Sequence, residues 1–431
     1  MGTATDHRED GHHVTDSAGT PAEPDDTAEH AAGDGSGAGG GGRGNGNGSA
    51  TGNGNRNGKR RRRRSLRWVA FGVSLLVLLV SGVGWWLYRK LEGNITTDLT
   101  AVEELERYDR ERPLPAPHGA QNILLIGSDS RAGAGNAKYG RDKGIQRSDT
   151  TILLHIAGDR RSVTAVSVPR DLLVGIPSCR TAQGTRSRAQ YAQFNSAFAL
   201  GGAACTIRTV ERLTGVRIDH HMVVDFHGFK SMVDAVGGVT VCLPASIDDA
   251  DARLRLKAGK QTLNGEQALG YVRARKSLGN GSDTERMDRQ QQFLGALFNK
   301  VQSNGVLLNP ARLYPVLDAA TRSLTTDPGL DSLKDLFDLA RSLRGVPTER
   351  VQFLTVPRRS YPYDPNRDVL AQPAASRLFE RLRKDAPVRV VPKEATTSTA
   401  GDTERDSGTG SQNPSATPTF SGTNATSARC K

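Results

Sequence analysis

The sequence predicts an α/β fold: a layered α/β/α domain around a mixed central β-sheet, preceded by one transmembrane helix. Short runs of branched apolar residues (NILLI, TILLHI, VTAVSV, HHMVV, VTVCL) alternate with longer segments at helical spacing such as TVERLTG and FHGFKSMVDAV. That alternation points to helices layered on a sheet. Trp68 to Tyr88, WVAFGVSLLVLLVSGVGWWLY, runs for 21 residues without a charge, enough at helical rise to cross a hydrocarbon core of roughly 30 Å. Both chain ends contain almost no large apolar side chains, which is expected to confine the fold to the middle of the chain.

In chain order, residues 1–67 read as a disordered cytoplasmic tail. Residues 33–58 are mostly Gly, Asn and Ser and cannot bury enough surface to offset the entropy of ordering. The tail closes on Lys59, Arg60 to Arg64 and Arg67, whereas only Arg89 and Lys90 directly follow the apolar run. The positive-inside rule then sets the N-terminus in the cytoplasm and everything after residue 90 outside. Residues 68–88 are the expected membrane span, with Trp68, Trp85, Trp86 and Tyr88 at its two interfaces. Its length, its distance from the N-terminus and its bulky Trp-Trp-Leu-Tyr-Arg-Lys exit disfavour a cleaved signal peptide. Residues 1–67 hold 10 Lys/Arg against 9 Asp/Glu, so +11 of the formal +12 falls on residues 68–431. On an exported domain this excess favours anionic lipid head groups or anionic polymers and argues against nucleic acid.

Residues 89–118 read as a short amphipathic helix and a proline-rich linker, and residues 119–305 as the main domain. DTTILLHIA, the Gly158-Asp159 turn and RSVTAVSVP predict an antiparallel hairpin. Residues 178–193 look like a mobile loop; Asn195–Leu200 and Thr206–Leu213 have helical spacing, the second stopping near Gly215. Ser282-Asp283-Thr284-Glu285 has the offset of a capping box, opening a helix that carries Arg286, Gln290, Phe293 and Leu297 on one face. Residues 306–393 add two or three helices and the strand VQFLTV to the same domain, with no chemistry evident. Residues 394–431 form a second disordered tail. Cys430 lies in that tail. Outside the cell, where disulfides persist, Cys179 and Cys205 flank irregular stretches and are expected to pair, while Cys242 in VTVCLP reads as a buried strand residue. No cysteine or histidine spacing suggests zinc.

The chemistry concentrates in Gln121 to Thr151. The run Ile123–Ile126 ends in Gly127-Ser128-Asp129-Ser130-Arg131; after a glycine-rich loop, Arg147-Ser148-Asp149 leads into Ile152–Ile156. Each run thus brings a carboxylate and an arginine to a strand end or its loop, where an open sheet presents its ligand site. Carboxylates suit a hard cation and guanidinium grips phosphate bidentately; taken alone, the stretch reads equally well as two surface ion pairs. Arg170 follows Pro169 at the end of the second hairpin arm, and LNGEQALGYVRARK carries Arg273 and Arg275. The exported part has no GxSxG, HExxH or Cys/His couple for covalent catalysis, and no GxxxxGK[ST]. His220-His221 belong to a strand. What remains, arginines and aspartates at strand and helix ends, suits a pyrophosphate with Mg²⁺.

The motifs NILLIGSDSRAG, RSDTTILLHI, SVPRDLLVGIP, FNSAFALGG, TVERLTGVRIDHHMVVDFHGFKSMVDAVGGV and ALGYVRARK followed by SDTERMDRQQQFL resemble the LytR-CpsA-Psr family, in its actinobacterial form, over about residues 121–302. The resemblance implies a membrane-anchored phosphotransferase whose catalytic domain is residues 119–305. It would take a glycopolymer from a polyprenyl-pyrophosphate carrier and attach it, through a phosphodiester, to a peptidoglycan hydroxyl. By the family pattern Asp129 and Asp149 hold Mg²⁺, with Mn²⁺ as the alternative ion. Arg147, Arg170, Arg273, Arg275, Arg286 and Gln290 contact the pyrophosphate, and Asp283 lies beside them as an arginine-orienting residue or base. The implied partners are the polyprenyl-pyrophosphate-linked glycan, the peptidoglycan acceptor and the cell membrane, with an apolar tunnel between sheet and helices for the lipid tail. One departure is visible: Gln193 stands where many members carry a basic residue before FN, with Arg186 or Arg188 as candidates to compensate. Three other functions compete: a transcriptional regulator, which the topology opposes, a lipid-diphosphate pyrophosphatase, and a lipid-binding protein without turnover. Teichoic acid, capsule and arabinogalactan-like polymers would all present the same handle.

Overall fold

The structure, a computed structural model, describes residues 56–129, 147–274, 283–302, 310–392 and 418–428. Helix α1 (Arg56–Glu92) contains the one candidate membrane span among them, Leu66–Glu92, whose apolar stretch is unburied and whose end packs through the buried Leu91. Contacts divide the chain into Met1–Phe71 and Gly72–Lys431, and the second unit holds every described strand.

Nine described strands form one mixed sheet. Across it lie β1 (Thr96–Thr97), β12 (Leu324–Thr326), β7 (His220–Val224), β2 (Gln121–Ser128), β3 (Ser148–Ile156), β4 (Val163–Val168), β13 (Val351–Thr355), β17 (Thr419–Asn424) and β16 (Arg389–Val391). The β3–β4 pair is the antiparallel hairpin expected from its turn, and β2 runs antiparallel to β3 but parallel to β7. Every residue of β4 is buried, the pattern of a strand covered on both faces. On β2 the side chains alternate: Leu124 and Ile126 join one core, Ile123 the other, as the two-residue period requires.

Helices cover both faces. On the first lie α2 (Leu99–Glu106), α3 (Ser196–Thr214) and α9 (Ala374–Arg383), where Ile207, Val210, Leu378 and Leu382 pack on Leu124, Leu153 and Val166. On the second lie α6 (Asp283–Gln302) and α8 (Leu333–Arg344) over Ile123, Ile152 and Phe353. A third cluster joins α4 (Phe226–Ala235), α5 (Gly265–Arg273) and α6 to the ribbon of β8 (Val239–Leu243) and β11 (Gly259–Leu263). Its centre is the fully buried Phe293, 5.5 Å from Phe229. Helix α7 (Pro310–Ser323) packs on α4. Three small ribbons pair β5 (Leu173–Ile176) with β6 (Gln190–Gln193), β9 (Ile247–Asp249) with β10 (Leu254–Leu256), and β14 (Arg358–Tyr361) with β15 (Asp364–Leu370).

Four features differ from the sequence reading. The stretch read as a linker is docked: β1 joins the sheet edge, Asp98 caps α2 by accepting from the Ala101 N–H, and Ala101 and Leu105 are buried against α3. The stretch read as a loop at 178–193 is held by the β5–β6 pairing and by the expected Cys179–Cys205 disulfide. Beside that disulfide α3 kinks at Gly201–Gly202, and a Cβ on Gly201 would come within 2.6 Å of the Arg180 carbonyl oxygen. Cys242 is exposed, not buried, and is disulfide-bonded, because Val239, Val241 and Leu243 take the inward positions of its strand. Finally, the stretch read as a tail at 394–431 contributes β17. It lies between β13 and β16 with Phe420 and Ala425 buried.

Candidate functional site

The candidate site forms where β2 ends and β3 begins. A register shift between Gly127 and Ser128 breaks the regular ladder at this end, and such bulges re-aim side chains. Beyond it Asp129 pairs with Arg147 through the backbone: the Asp129 N–H donates to the Arg147 carbonyl (3.0 Å), and the Arg147 N–H donates to Asp129 Oδ1 (2.6 Å). Arg147 itself is exposed. Two residues later Asp149 accepts from Arg170 Nη1 at 3.1 Å, while Arg170 Nε donates to Asp171 Oδ2 at 3.3 Å. The guanidinium is therefore braced between two carboxylates, and charge-assisted bonds of this kind fix orientation as well as energy.

The helical side reaches the same strand ends. Gly127 of β2 is level with Val224 of β7. Directly after β7, Asp225 caps α4 by accepting from the Gly228 N–H, and the exposed Arg273 stacks over the Phe226 ring with Cζ 4.5 Å from its centre. On α6, Gln291 donates to Ser167 Oγ (3.2 Å) and Thr355 Oγ1 (3.0 Å), the ends of β4 and β13. Gln290 donates to the Val272 carbonyl (3.2 Å), and Arg286 is buried. Thus Asp129, Arg147, Asp149 and Arg170 come together, with Arg273, Arg286 and Gln290 carried to the same end by α5 and α6. Arg275, the capping-box residue Ser282 and the side chain of Asp283 lie outside the described residues.

Several residues at the site carried no signal in the sequence. Asp171 accepts from Arg170, from Gln193 Nε2 (2.6 Å), and lies 3.9 Å from Arg367 Nη1. The Asp368 N–H donates to the Asp171 carbonyl, and Asp368 pairs with Arg358. The segment in which no chemistry was evident therefore supplies Arg358, Arg367 and Asp368. Gln193, where the family resemblance implies a basic residue, bonds Asp171, and Arg186 lies away from it. Gln193 is level with Leu173 at the site end of the β5–β6 ribbon, whereas the turn bearing Arg186 is at the other end, where its Nη1 donates to the Tyr108 hydroxyl. Arg289, also overlooked, is buried and donates to the Ala274 carbonyl; desolvation lowers its pKa against the pull of Tyr271, Glu285, Asp249 and Asp288.

Below the site the second face of the sheet carries half-buried apolar side chains facing α6. Leu125, Leu154 and Met222 sit on interior strands yet are only half-buried, as are Leu294 and Phe298 of the overlying α6. An apolar floor thus runs under α6 from the residues just before Gly127. A separate cavity of about 310 Å³, lined by Arg112, Asp219, His220 and Asp327 among others, lies at the opposite end of β2 and β7.

Among the described residues no three His, Cys, Asp or Glu side chains converge on one point. The oxygen donors present are the Asp129 and Asp149 carboxylates and, between them in the chain, the buried Ser148 Oγ, which has no hydrogen-bond partner. Such a set fits Mg²⁺, which takes one or two carboxylates and fills its octahedron with phosphate oxygens and water. It does not form a closed protein cage.

These features define an α/β domain with a carboxylate–guanidinium cluster at its strand ends. The LytR_cpsA_psr family model matches residues 92–384, and the chain belongs to that family. It is 36% identical over 314 residues to the cell wall biosynthesis protein LcpA of Corynebacterium glutamicum, covering 67% of this chain and 59% of that protein. To TagV of Bacillus subtilis, named a polyisoprenyl-teichoic acid–peptidoglycan teichoic acid transferase, it is 30% identical over 268 residues, covering 61% of this chain and 63% of that one. The chain thus matches less than two thirds of either relative's length. The crystal structure of protein gbs0355 from Streptococcus agalactiae shares the fold, with TM-score 0.52 and 24% identity over 62% of this chain and 87% of that one. The family match begins at residue 92 and ends at 384, wider on both sides than the motifs alone.

Proposed function

We propose that the protein is a membrane-anchored phosphotransferase that moves a glycopolymer from a polyprenyl-pyrophosphate carrier to a peptidoglycan hydroxyl outside the cell. The observation that carries this reading is the adjacency of two features: the Asp129–Arg147–Asp149–Arg170 cluster at the strand ends, and the half-buried apolar floor that begins at Leu125. One accepts a charged diphosphate and the other a hydrocarbon tail. The apolar span Leu66–Glu92 keeps the domain beside the lipid's own membrane, and the basic run before it favours a cytoplasmic N-terminus. The similarity to LcpA, a cell wall biosynthesis protein, and to the teichoic acid transferase TagV supports the wall setting.

In the reaction, the acceptor hydroxyl oxygen forms a bond to the phosphorus that carries the glycan. The bond from that phosphorus to the bridging oxygen breaks, the hydroxyl proton passes to a base, and polyprenyl phosphate leaves with the electron pair. The step needs alignment and charge neutralisation more than a protein nucleophile. Arg170, aimed by Asp149 and Asp171, and Arg147 face the phosphate charge; Arg273 of α5 and, by the family pattern, Arg275 add to them, and Asp283 is the candidate base. Asp129 and Asp149 would hold Mg²⁺, which would neutralise phosphate oxygens as a Lewis acid.

The test is the full chain in nanodiscs with a synthetic polyprenyl-pyrophosphate glycan, a peptidoglycan oligomer and Mg²⁺, read by product mass. Linked glycan–peptidoglycan is expected, lost in Asp149→Ala and Arg275→Ala with the fold retained. Release of free glycan phosphate alone would make the protein a pyrophosphatase instead.

A further inference from the structure

The ribbon β14–β15 projects from the rim of the site and ends in two tyrosines. Its base is tied to Asp171: the Asp368 N–H donates to the Asp171 carbonyl at 3.2 Å, Asp368 bridges to Leu172, and Arg367 Nη1 lies 3.9 Å from Asp171 Oδ1. Asp171 is the residue that braces Arg170. Asp368 is level with Ser360, so the tip, Tyr361-Pro362-Tyr363-Asp364-Pro365, begins one residue beyond this tie, across a register shift. There the Tyr361 and Tyr363 rings meet at 5.4 Å and 63°. Tyr363 is 87% exposed, so it contributes nothing to a core. Two prolines stiffen the turn, and Arg359 is exposed beside it.

An exposed tyrosine ring, held edge-to-face by the half-buried Tyr361 and next to guanidinium groups, suits a sugar chain. The negative ring face attracts the polarised C–H groups of a pyranose, and arginine donors reach its hydroxyl and carboxylate oxygens. A bilayer is a poorer match, because Asp364 puts a negative charge in the tip and only two prolines, with no long aliphatic side chain, accompany the tyrosines. The side of the sheet identifies which sugar chain. Leu172 and Leu370, at the ribbon's base, belong to the core on the α3 face, whereas the apolar floor lies under α6 on the other face. In-line phosphoryl transfer sets the attacking and leaving oxygens on opposite sides of phosphorus. If the leaving lipid phosphate lies toward α6, the attacking hydroxyl comes from the ribbon's side. We infer that Tyr361 and Tyr363 form a docking platform for the saccharide chain of the acceptor, an inference that rests on the transferase reading above.

The test uses the full chain in nanodiscs with a soluble peptidoglycan glycan oligomer as acceptor. Tyr361→Ala/Tyr363→Ala should raise the acceptor KM, and weaken direct binding of the oligomer, about tenfold. The kcat and the donor KM should stay within about twofold. Tyr361→Phe/Tyr363→Phe, which keeps both rings, should retain acceptor binding. Unchanged acceptor affinity in the alanine variant overturns the inference, as does a loss of donor affinity in its place, which would give the platform to the donor glycan. Should the parent chain yield no linked product, the transferase reading fails by itself, and the oligomer binding titration still decides the role of the ribbon.

Discussion

Gly422→Val tests whether the C-terminal strand is a structural part of the sheet. Gly422 is level with Leu354 of β13, and β16 flanks it on the other side. A Cβ there would come to 2.7 Å from Val390 Cγ1 and 3.1 Å from Leu354 Cβ, and would collide with the Phe353 carbonyl oxygen. A ladder carbonyl cannot rotate away, so β17 must separate from its neighbours. Separation exposes Phe420, now 6% accessible, at about 1.5–3 kcal/mol. It also loosens three ladder positions on each side and the bond from Asn299 Nδ2 to the Ala425 carbonyl, at about 0.5–1.5 kcal/mol for each net hydrogen bond lost. With partial relaxation the cost is roughly 3–5 kcal/mol, a fall in Tm on the order of 10 °C for a domain of this size. Gly345→Ala is the control: nothing lies within 4 Å of its added carbon, so its effect should stay within about 0.5 kcal/mol. Thermal unfolding gives the magnitude, and hydrogen exchange over Val351–Thr355 and Arg389–Val391 locates it. Unchanged Tm and unchanged protection in Gly422→Val would refute the assignment of β17 to the sheet.

Asp171→Ala removes the acceptor of Arg170 Nε and of Gln193; kcat should fall about 10–100-fold, and a rise in KM alone would argue against a positioning role. Arg273→Ala, on an exposed side chain, should chiefly raise the donor KM, by about tenfold, in the same steady-state assay. The Asp327 hydrogen bond raises the pKa of His220 above its ordinary 6.5 despite burial. That pair's stabilisation is complete below the unfolded-state value and is lost as pH rises through the folded-state one, so His220→Gln should flatten the alkaline fall in Tm. His155 has the opposite sign: burial, only partly offset by Asp385, lowers its pKa, so protonation below 6.5 costs stability, and His155→Gln should be less acid-sensitive. Binding of Mn²⁺, followed by its electron paramagnetic resonance, should weaken in Asp129→Asn and Asp149→Asn, and binding unchanged in both would remove the cation from these carboxylates.

Sequence legibility followed how locally each element is specified. Continuous apolar runs revealed β2, β3, β4 and β13, since a strand covered on both faces needs little else. The candidate site was legible where a carboxylate follows the strand built on such a run, as at Asp129, but not at Asp171, whose contacts to Gln193 and Arg367 only the fold supplies. Cys242 could have been read correctly: Val239, Val241 and Leu243 claim the inward positions, so the period of two turns Cys242 and Thr240 outward. By contrast, TFSGTN has one large apolar residue and a glycine, the composition of a loop. It becomes a strand because Gly422 lets the backbone approach Phe353 closely. The β14–β15 ribbon is equally silent, with two prolines at its tip and an Arg358–Asp368 pair that only the fold brings together.

The bracing of Arg170 limits what it can contribute to binding. Its guanidinium is 21% exposed and already bonds the Asp149 and Asp171 carboxylates, so an incoming diphosphate must compete with them and gains little net affinity there. A charge fixed before the ligand arrives, however, needs no reorganisation as negative charge shifts across the phosphoryl oxygens. Under the proposed function, affinity would therefore come largely from elsewhere: from exposed guanidinium groups such as those of Arg147 and Arg273, and from a hydrocarbon tail on the floor under α6. On this division, binding energy gained remote from phosphorus holds the substrate against a pre-aimed cation. The residues that carry recognition then need not be those that carry rate.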